Sequence, residues 1–174
     1  MPVLPILQWP DPCLARVAVP AVPDAKTAAL ATDMLETMYD ARGRGLAAPQ
    51  VGVSQRMFVM DVSWKDGTPA PLVVLNPEIL AWSAAEAIGP EGCLSIPGAV
   101  AMVQRPTSVS LRWTGLDGVV QQAVLTGFAA ICAQHEIDHL DGIVTLQRDP
   151  QAVASLAVAL LAAASLAAAS QAAV

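Results

Sequence analysis

The residues whose types and spacing point to chemistry are His135 and His139, in the run His135-Glu136-Ile137-Asp138-His139. On a helix, positions four apart share a face, so both imidazoles can reach one metal ion. Glu136 stands beside them, where it can take a proton from a water activated by that ion. These are the only 2 histidines in the chain. Ile131, Cys132, Ile137 and Leu140 surround them, so the segment is expected to be part-buried. A single core histidine is common. Two at metal-ligand spacing, with none elsewhere, point to a site.

Two ligands do not close a catalytic site; a third is expected, with one position left for water. The commonest zinc proteases take a Glu or His downstream of HExxH. Downstream of His139 this chain has only Asp141 and Asp149 as acids and no His or Glu, which argues against that class. A cysteine is the obvious substitute. Cys93 stands in Glu91-Gly92-Cys93-Leu94-Ser95, after Gly89-Pro90, a turn-rich setting able to present a thiolate. Cys132, one turn before His135, competes for the role but reads better as a small core hydrophobe. Cys13 has no assigned role.

The elements that must hold these residues follow from periodicity. Residues 1–23 are rich in proline and are expected to be extended and irregular. Asp24 can cap a helix carrying Leu30, Met34, Leu35 and Met38, which stops before Gly43. A Gly-rich turn, Gly43 to Gly52, follows. Met57–Val62 and Leu72–Leu75 read as strands, with an Asp66-Gly67 turn between them. Thr107–Trp113 alternates with period two, and Asp117-Gly118 turns it into Val119–Leu125, a hairpin. From Gly127 the pattern is helical, and Asp141-Gly142 ends it. No repeat or internal linker is present. The expected fold is α+β, with short antiparallel strands around a central helix carrying HExxH, and a C-terminal helix.

Length and composition set the limits. The 174 residues fit one domain, and 55% hydrophobic with only 14% charged content excludes a disordered chain. The formal net charge is −6, with 9 basic residues among 15 acids, so a phosphate-neutralising nucleic-acid surface is not expected. Three widely spaced cysteines and no secretory pattern at the start point to the cytoplasm. Residues 152–174 hold 12 Ala, 4 Leu, 3 Val, 3 Ser and 1 Gln, and no charge. Ala is only marginally apolar and no Lys or Arg follows, so a membrane span is disfavoured. The expectation is a catalytic region over 1–150 and, over 151–174, an Ala-rich helical tail that packs on the body or mediates self-association.

Three segments in order resemble the peptide deformylase family: Gly43-Arg44-Gly45-Leu46-Ala47-Ala48-Pro49-Gln50, Glu91-Gly92-Cys93-Leu94-Ser95, and Gln134-His135-Glu136-Ile137-Asp138-His139. The resemblance covers about residues 3 to 148. It implies a metal-dependent hydrolase that removes the formyl group from N-terminal formyl-methionine of new polypeptides. It implies one divalent ion on Cys93, His135 and His139, Fe²⁺ in the cell and often Zn²⁺ or Ni²⁺ in preparations. Glu136 is then the proton carrier, and the Gln50 amide and Leu94 backbone N–H are the oxyanion donors. By the same resemblance Gly45 lies close to the peptide, and Phe128, Ile131 and Cys132 line the methionine pocket. Glu91 and Arg105 pair and brace the metal loop; composition alone would leave both as solvated surface charges.

Two departures from the family pattern stand out. Arg44 occupies a position that is usually aliphatic at the pocket mouth, and is expected to weaken the preference for methionine. The stretch Ile96 to Val100 lacks the charges many relatives carry. Two further readings follow: a relative acting on another formylated or acylated amine, and a metal-binding relative without catalysis. Retention of Gln50 and Glu136, which are not needed merely to hold metal, disfavours the latter.

Overall fold

The computed structural model describes residues 3–149 and Gln151. Asp24 accepts a hydrogen bond from the Thr27 amide at 2.8 Å and starts α1 (Ala25–Asp40). Its buried residues Ala31, Met34 and Met38 recur at steps of three and four, the spacing of one helix face. Then come β1 (Gly45–Ala47), β2 (Met57–Met60), β3 (Leu72–Trp82), β4 (Glu86–Cys93), β5 (Ile96–Pro106), β6 (Ser108–Thr114) and β7 (Val120–Thr126). The chain ends this series with α2 (Gly127–Leu140).

The strands form a five-stranded antiparallel sheet, ordered β1-β2-β3-β6-β7, and a separate β4–β5 hairpin. The sheet lies between the helices. Leu46, Met57, Val59 and Leu75 pack with Met34 and Met38 of α1. Ala47, Phe58, Val74, Leu111 and Trp113 pack with Cys132, Ala133 and Leu140 of α2. Successive strand residues point to opposite faces, so every residue of β2 is buried from one side or the other. Truncating the fully buried Phe58 to Ala would cost about 3–5 kcal/mol. The hairpin has its own small core of Leu14, Ile96, Val144 and Leu146.

The α+β reading holds, with antiparallel sheets and two helices. The strands run further than the periodicity indicated. Asn76-Pro77 looks like a stop, yet β3 continues through it with a shift of register between Leu75 and Glu78. Asn76 adopts φ 50°. Its side chain accepts from the Ala21 amide at 2.8 Å and donates to the Ala21 carbonyl at 2.9 Å, tying the proline-rich arm to the sheet. Residues 86–106 form the β4–β5 hairpin where only a turn-rich segment was expected. Among the described residues, no helix is long and apolar enough to cross a membrane. The Ala-rich tail, with the helix and self-association expected of it, lies outside the described residues.

Candidate metal centre

Helix α2 carries His135 and His139 on its buried side, with ring centroids 5.1 Å apart. Cys93 ends β4, where a register shift after Gly92 breaks the ladder and Leu94-Ser95 turns the chain into β5. This turn carries the Cys93 sulfur to 3.2 Å from His139 Nε2. One donor atom from each of Cys93, His135 and His139 lies within 4.8 Å of the others. His135 donates from Nδ1 to Glu91 Oε2 at 2.9 Å, leaving its Nε2 for the shared point. One thiolate and two imidazoles are a donor set for a borderline divalent ion, so these residues fit the metal that the sequence implies.

Behind the centre stands a chain of charges. Arg105 grips Glu91 with two bonds, 2.7 and 2.9 Å, and Asp138 with a third at 2.8 Å. Arg148 adds a bond to Asp138 at 3.0 Å. Glu91 and Arg105 are therefore a buried pair and not the surface charges that composition suggests: the register places Ala87 opposite Arg105, so both face inward from the hairpin. Burial opposes charge on Glu91, but Arg105 and His135 outweigh it and hold its carboxyl down at about 2. Burial also opposes charge on His135, yet bonds to Cys93 and Glu91 raise its ring to about 10. Burial holds the His139 ring well below its ordinary value. Metal binding displaces any proton on these nitrogens.

Glu136 faces the other way, into the cleft. Burial, more than any neighbour, lifts its carboxyl to about 7. Its Oε2 is buried with no hydrogen-bond partner. Gly45 of β1 lies directly against it: a Cβ at Gly45 would collide with the carboxylate and come 2.9 Å from the Cys132 sulfur. Gln50 is the third residue of the short turn Ala48–Val51. Its carbonyl accepts from the Ala47 amide at 2.8 Å, which aims its amide nitrogen at Ser95 Oγ, 3.1 Å away, and at the Cys93 sulfur, 3.7 Å away.

These groups open into a cleft of about 410 Å³. Leu94, Ile131 and Cys132 line it. Phe128 lies at its rim, 54% exposed, rather than inside. Cys132 does not join the converging Cys93, His135 and His139 donors; its thiol, pushed up by burial, sits 3.6 Å from the Arg44 carbonyl. Asp141, one of the two acids downstream of the histidines, pairs instead with Arg56 at 2.7 Å. Arg44 also lines the cleft. Its guanidinium bonds the Val62 carbonyl and Asp66, and lies 5.4 Å from the centre of the Phe128 ring. Sequence reasoning missed Asp138, Arg148 and Ser95. Asp138 carried a signal, since an acid within the buried HExxH segment needs a cation.

The family model for polypeptide deformylase matches residues 3–153. A peptide deformylase of Mesorhizobium japonicum is 49% identical over 145 residues, 83% of this chain and 82% of the relative. That of Alkalilimnicola ehrlichii is 52% identical over 143 residues, 82% and 79% of the two chains. The crystal structure of peptide deformylase from Thermotoga maritima superimposes with a TM-score of 0.81 at 38% identity, covering 86% of this chain and 99% of that one. A class I type b peptide deformylase from Acinetobacter baumannii, solved with Met-Ala-Ser bound, gives 0.79 at 34% identity, covering 84% and 98%. The chain belongs to the polypeptide deformylase family.

Proposed function

We propose that Cys93, His135 and His139 hold one divalent ion, Fe²⁺ in the cell, and that Glu136, Gln50 and Leu94 carry out deformylation of formyl-methionyl peptides around it. The observation that carries this is the buried Glu136 carboxylate, unpartnered at Oε2, beside the converging Cys93, His135 and His139 donors. Bound there, the ion supplies Lewis-acid activation of a water molecule. Glu136 takes the proton of that water as its oxygen bonds to the formyl carbon. The Gln50 amide and the Leu94 N–H donate to the oxyanion that develops. As the C–N bond breaks, Glu136 returns the proton to the leaving nitrogen, and formate and a free amino terminus result. A carboxyl that burial lifts to about 7 suits both directions of this transfer near neutrality.

The methionine side chain is assigned to the space between Gly45, Ile131 and Cys132, with Phe128 at its mouth. Met-Ala-Ser in the Acinetobacter baumannii relative, a tripeptide that begins with methionine, supports this substrate class. Three free cysteines, Cys13, Cys93 and Cys132, support placement in the cytoplasm, where new chains emerge. The test is hydrolysis of formyl-Met-Ala-Ser by anaerobically prepared protein, with metal measured on the same sample. One metal per chain and formate release are expected. Glu136→Ala is expected to keep the metal and lose at least about 10²-fold in kcat. Full activity of a metal-replete Glu136→Ala sample would remove Glu136 from the reaction.

A further inference from the structure

The two lips of the cleft differ in charge. Pro90, Gly92, Gly98 and Ala99 of the hairpin form one lip, which bears no exposed charge. The other carries Arg42, Arg44 and Lys65. Arg44 is matched by Asp66. Arg42 and Lys65 are exposed, and among the described residues neither has an acidic partner. This positive lip stands on a chain whose net charge is −6.

The lip is held in place. Asp61, only 1% exposed, organises the loop that presents Lys65. Its Oδ1 accepts from the Ser63 and Trp64 amides at 3.1 Å, and its Oδ2 from the Tyr39 hydroxyl at 2.8 Å and the Ala70 amide at 3.0 Å. The Trp64 indole donates to the Gly43 carbonyl at 2.8 Å. Lys65 Nζ lies 5.4 Å from the centre of the Trp64 ring and donates to the Arg42 carbonyl. Lys65 is thus fastened to the strand entry that leads to Gly45, the residue against Glu136. Going back along the chain from Gly45, the cleft wall runs through Arg44 to Arg42 and out to solvent.

A peptide whose first amide lies at Glu136 must leave the cleft between these lips. We infer that Arg42 and Lys65 select formyl-methionyl peptides carrying acidic side chains at the second and third residues, and disfavour basic ones. This rests on the deformylase reading given above. The net charge of the whole chain would by itself favour basic peptides, so an acidic preference can come only from the lip.

The experiment compares kcat/KM of the metal-loaded, full-length protein on formyl-Met-Ala-Ser, formyl-Met-Asp-Asp and formyl-Met-Lys-Lys. At low ionic strength the acidic peptide should exceed the basic one by about tenfold, chiefly through KM. At about 1 M KCl, where screening acts within about 3 Å, the ratio should fall toward one. Arg42→Glu with Lys65→Glu should invert the order. Equal low-salt rates for the acidic and basic peptides, or a ratio that salt leaves unchanged, would overturn the inference. If the double variant loses formyl-Met-Ala-Ser hydrolysis through misfolding, the salt dependence of the parent still decides. No hydrolysis of formyl-Met-Ala-Ser by the parent would instead overturn the deformylase reading itself.

Discussion

Arginine plays opposite parts on the two sides of this cleft. Behind the metal centre, Arg105 is 5% exposed and gives three hydrogen bonds to two carboxylates, Glu91 and Asp138. At the lip, Arg42 is exposed and Arg44 meets an Asp66 side chain that is itself 74% exposed. Water screens the lip charges, so they act on what passes and contribute little to the fold. Behind the centre there is little water to screen them, and a carboxylate left without its cation is costly. The difference shows what burial does to a charge: it turns an attraction into a fixed position. Glu91 fixes the His135 ring because Arg105 fixes Glu91, and the converging Cys93, His135 and His139 side chains inherit that order.

The comparison breaks most sharply at Arg105. Arg105→Ala should lower stability by about 3–5 kcal/mol, because Glu91 is left buried with only the His135 ring, and Asp138 with only Arg148. Lys65→Ala at the lip should change it by no more than about 0.5 kcal/mol. Denaturant unfolding of both variants checks this, and similar losses in the two would erase the distinction drawn between the regions.

A smaller change behind the centre sharpens the comparison. Glu91→Gln keeps the shape but drops the charge facing His135. Metal affinity should fall by about 10–100-fold with the fold retained, measured by competition with a chelator. The pH dependence follows from the Glu91 carboxyl, which sits at about 2 against an ordinary 4.5. A depressed acid contributes stability that is complete above 4.5 and is lost as pH falls toward 2. The melting-temperature gap between parent and Glu91→Gln should therefore narrow over that window. A gap that stays constant would mean that Glu91 acts through shape and not through charge.

How much of this was legible depended on distance along the chain. The histidine pair was plain because both rings lie about one helix turn apart, and periodicity reports local geometry. α1 was plain for the same reason, through Asp24, Met34 and Met38. The α+β class followed from strands that alternate, such as β6 and β7. The β4–β5 hairpin was not visible, since Pro90, Pro97 and their neighbouring glycines demote a strand when read singly. Its pairing comes from a partner strand, and only the register of that pairing turns Glu91 and Arg105 inward together. Without that register, two charges 14 residues apart look solvated. Asp138 and Arg148 were missed because their pairing depends on how the chain folds back after α2, although an acid inside the HExxH run already called for a cation. Resemblance supplied the Glu91–Arg105 pairing, which residue types alone could not.

The smallest effect is expected at Arg44. Its type suggested that a guanidinium at the pocket mouth would weaken the preference for methionine. In the structure that guanidinium is held by the Val62 carbonyl, Asp66 and the Phe128 ring. On the substrate-binding role proposed for residue 44, the part left to meet an apolar side chain is its backbone and aliphatic stem, which can serve it much as an aliphatic residue does. Arg44→Ile removes the contacts to Asp66 and Phe128 but leaves the Arg44 carbonyl, β1 and Gly45 in place. The ratio of formyl-methionyl to formyl-norleucyl and formyl-alanyl hydrolysis should therefore move by no more than about threefold, the scale of part of a methylene in an apolar pocket. Phe128, half exposed and deprived of its cation, should gain mobility, so KM should rise slightly for all three peptides alike. A change of tenfold or more in the methionine ratio would show that the guanidinium enters the pocket when substrate is bound. In that case Arg44 would belong with the selective cations of the lip, and the contrast between a matched Arg44 and an unmatched Arg42 would fail.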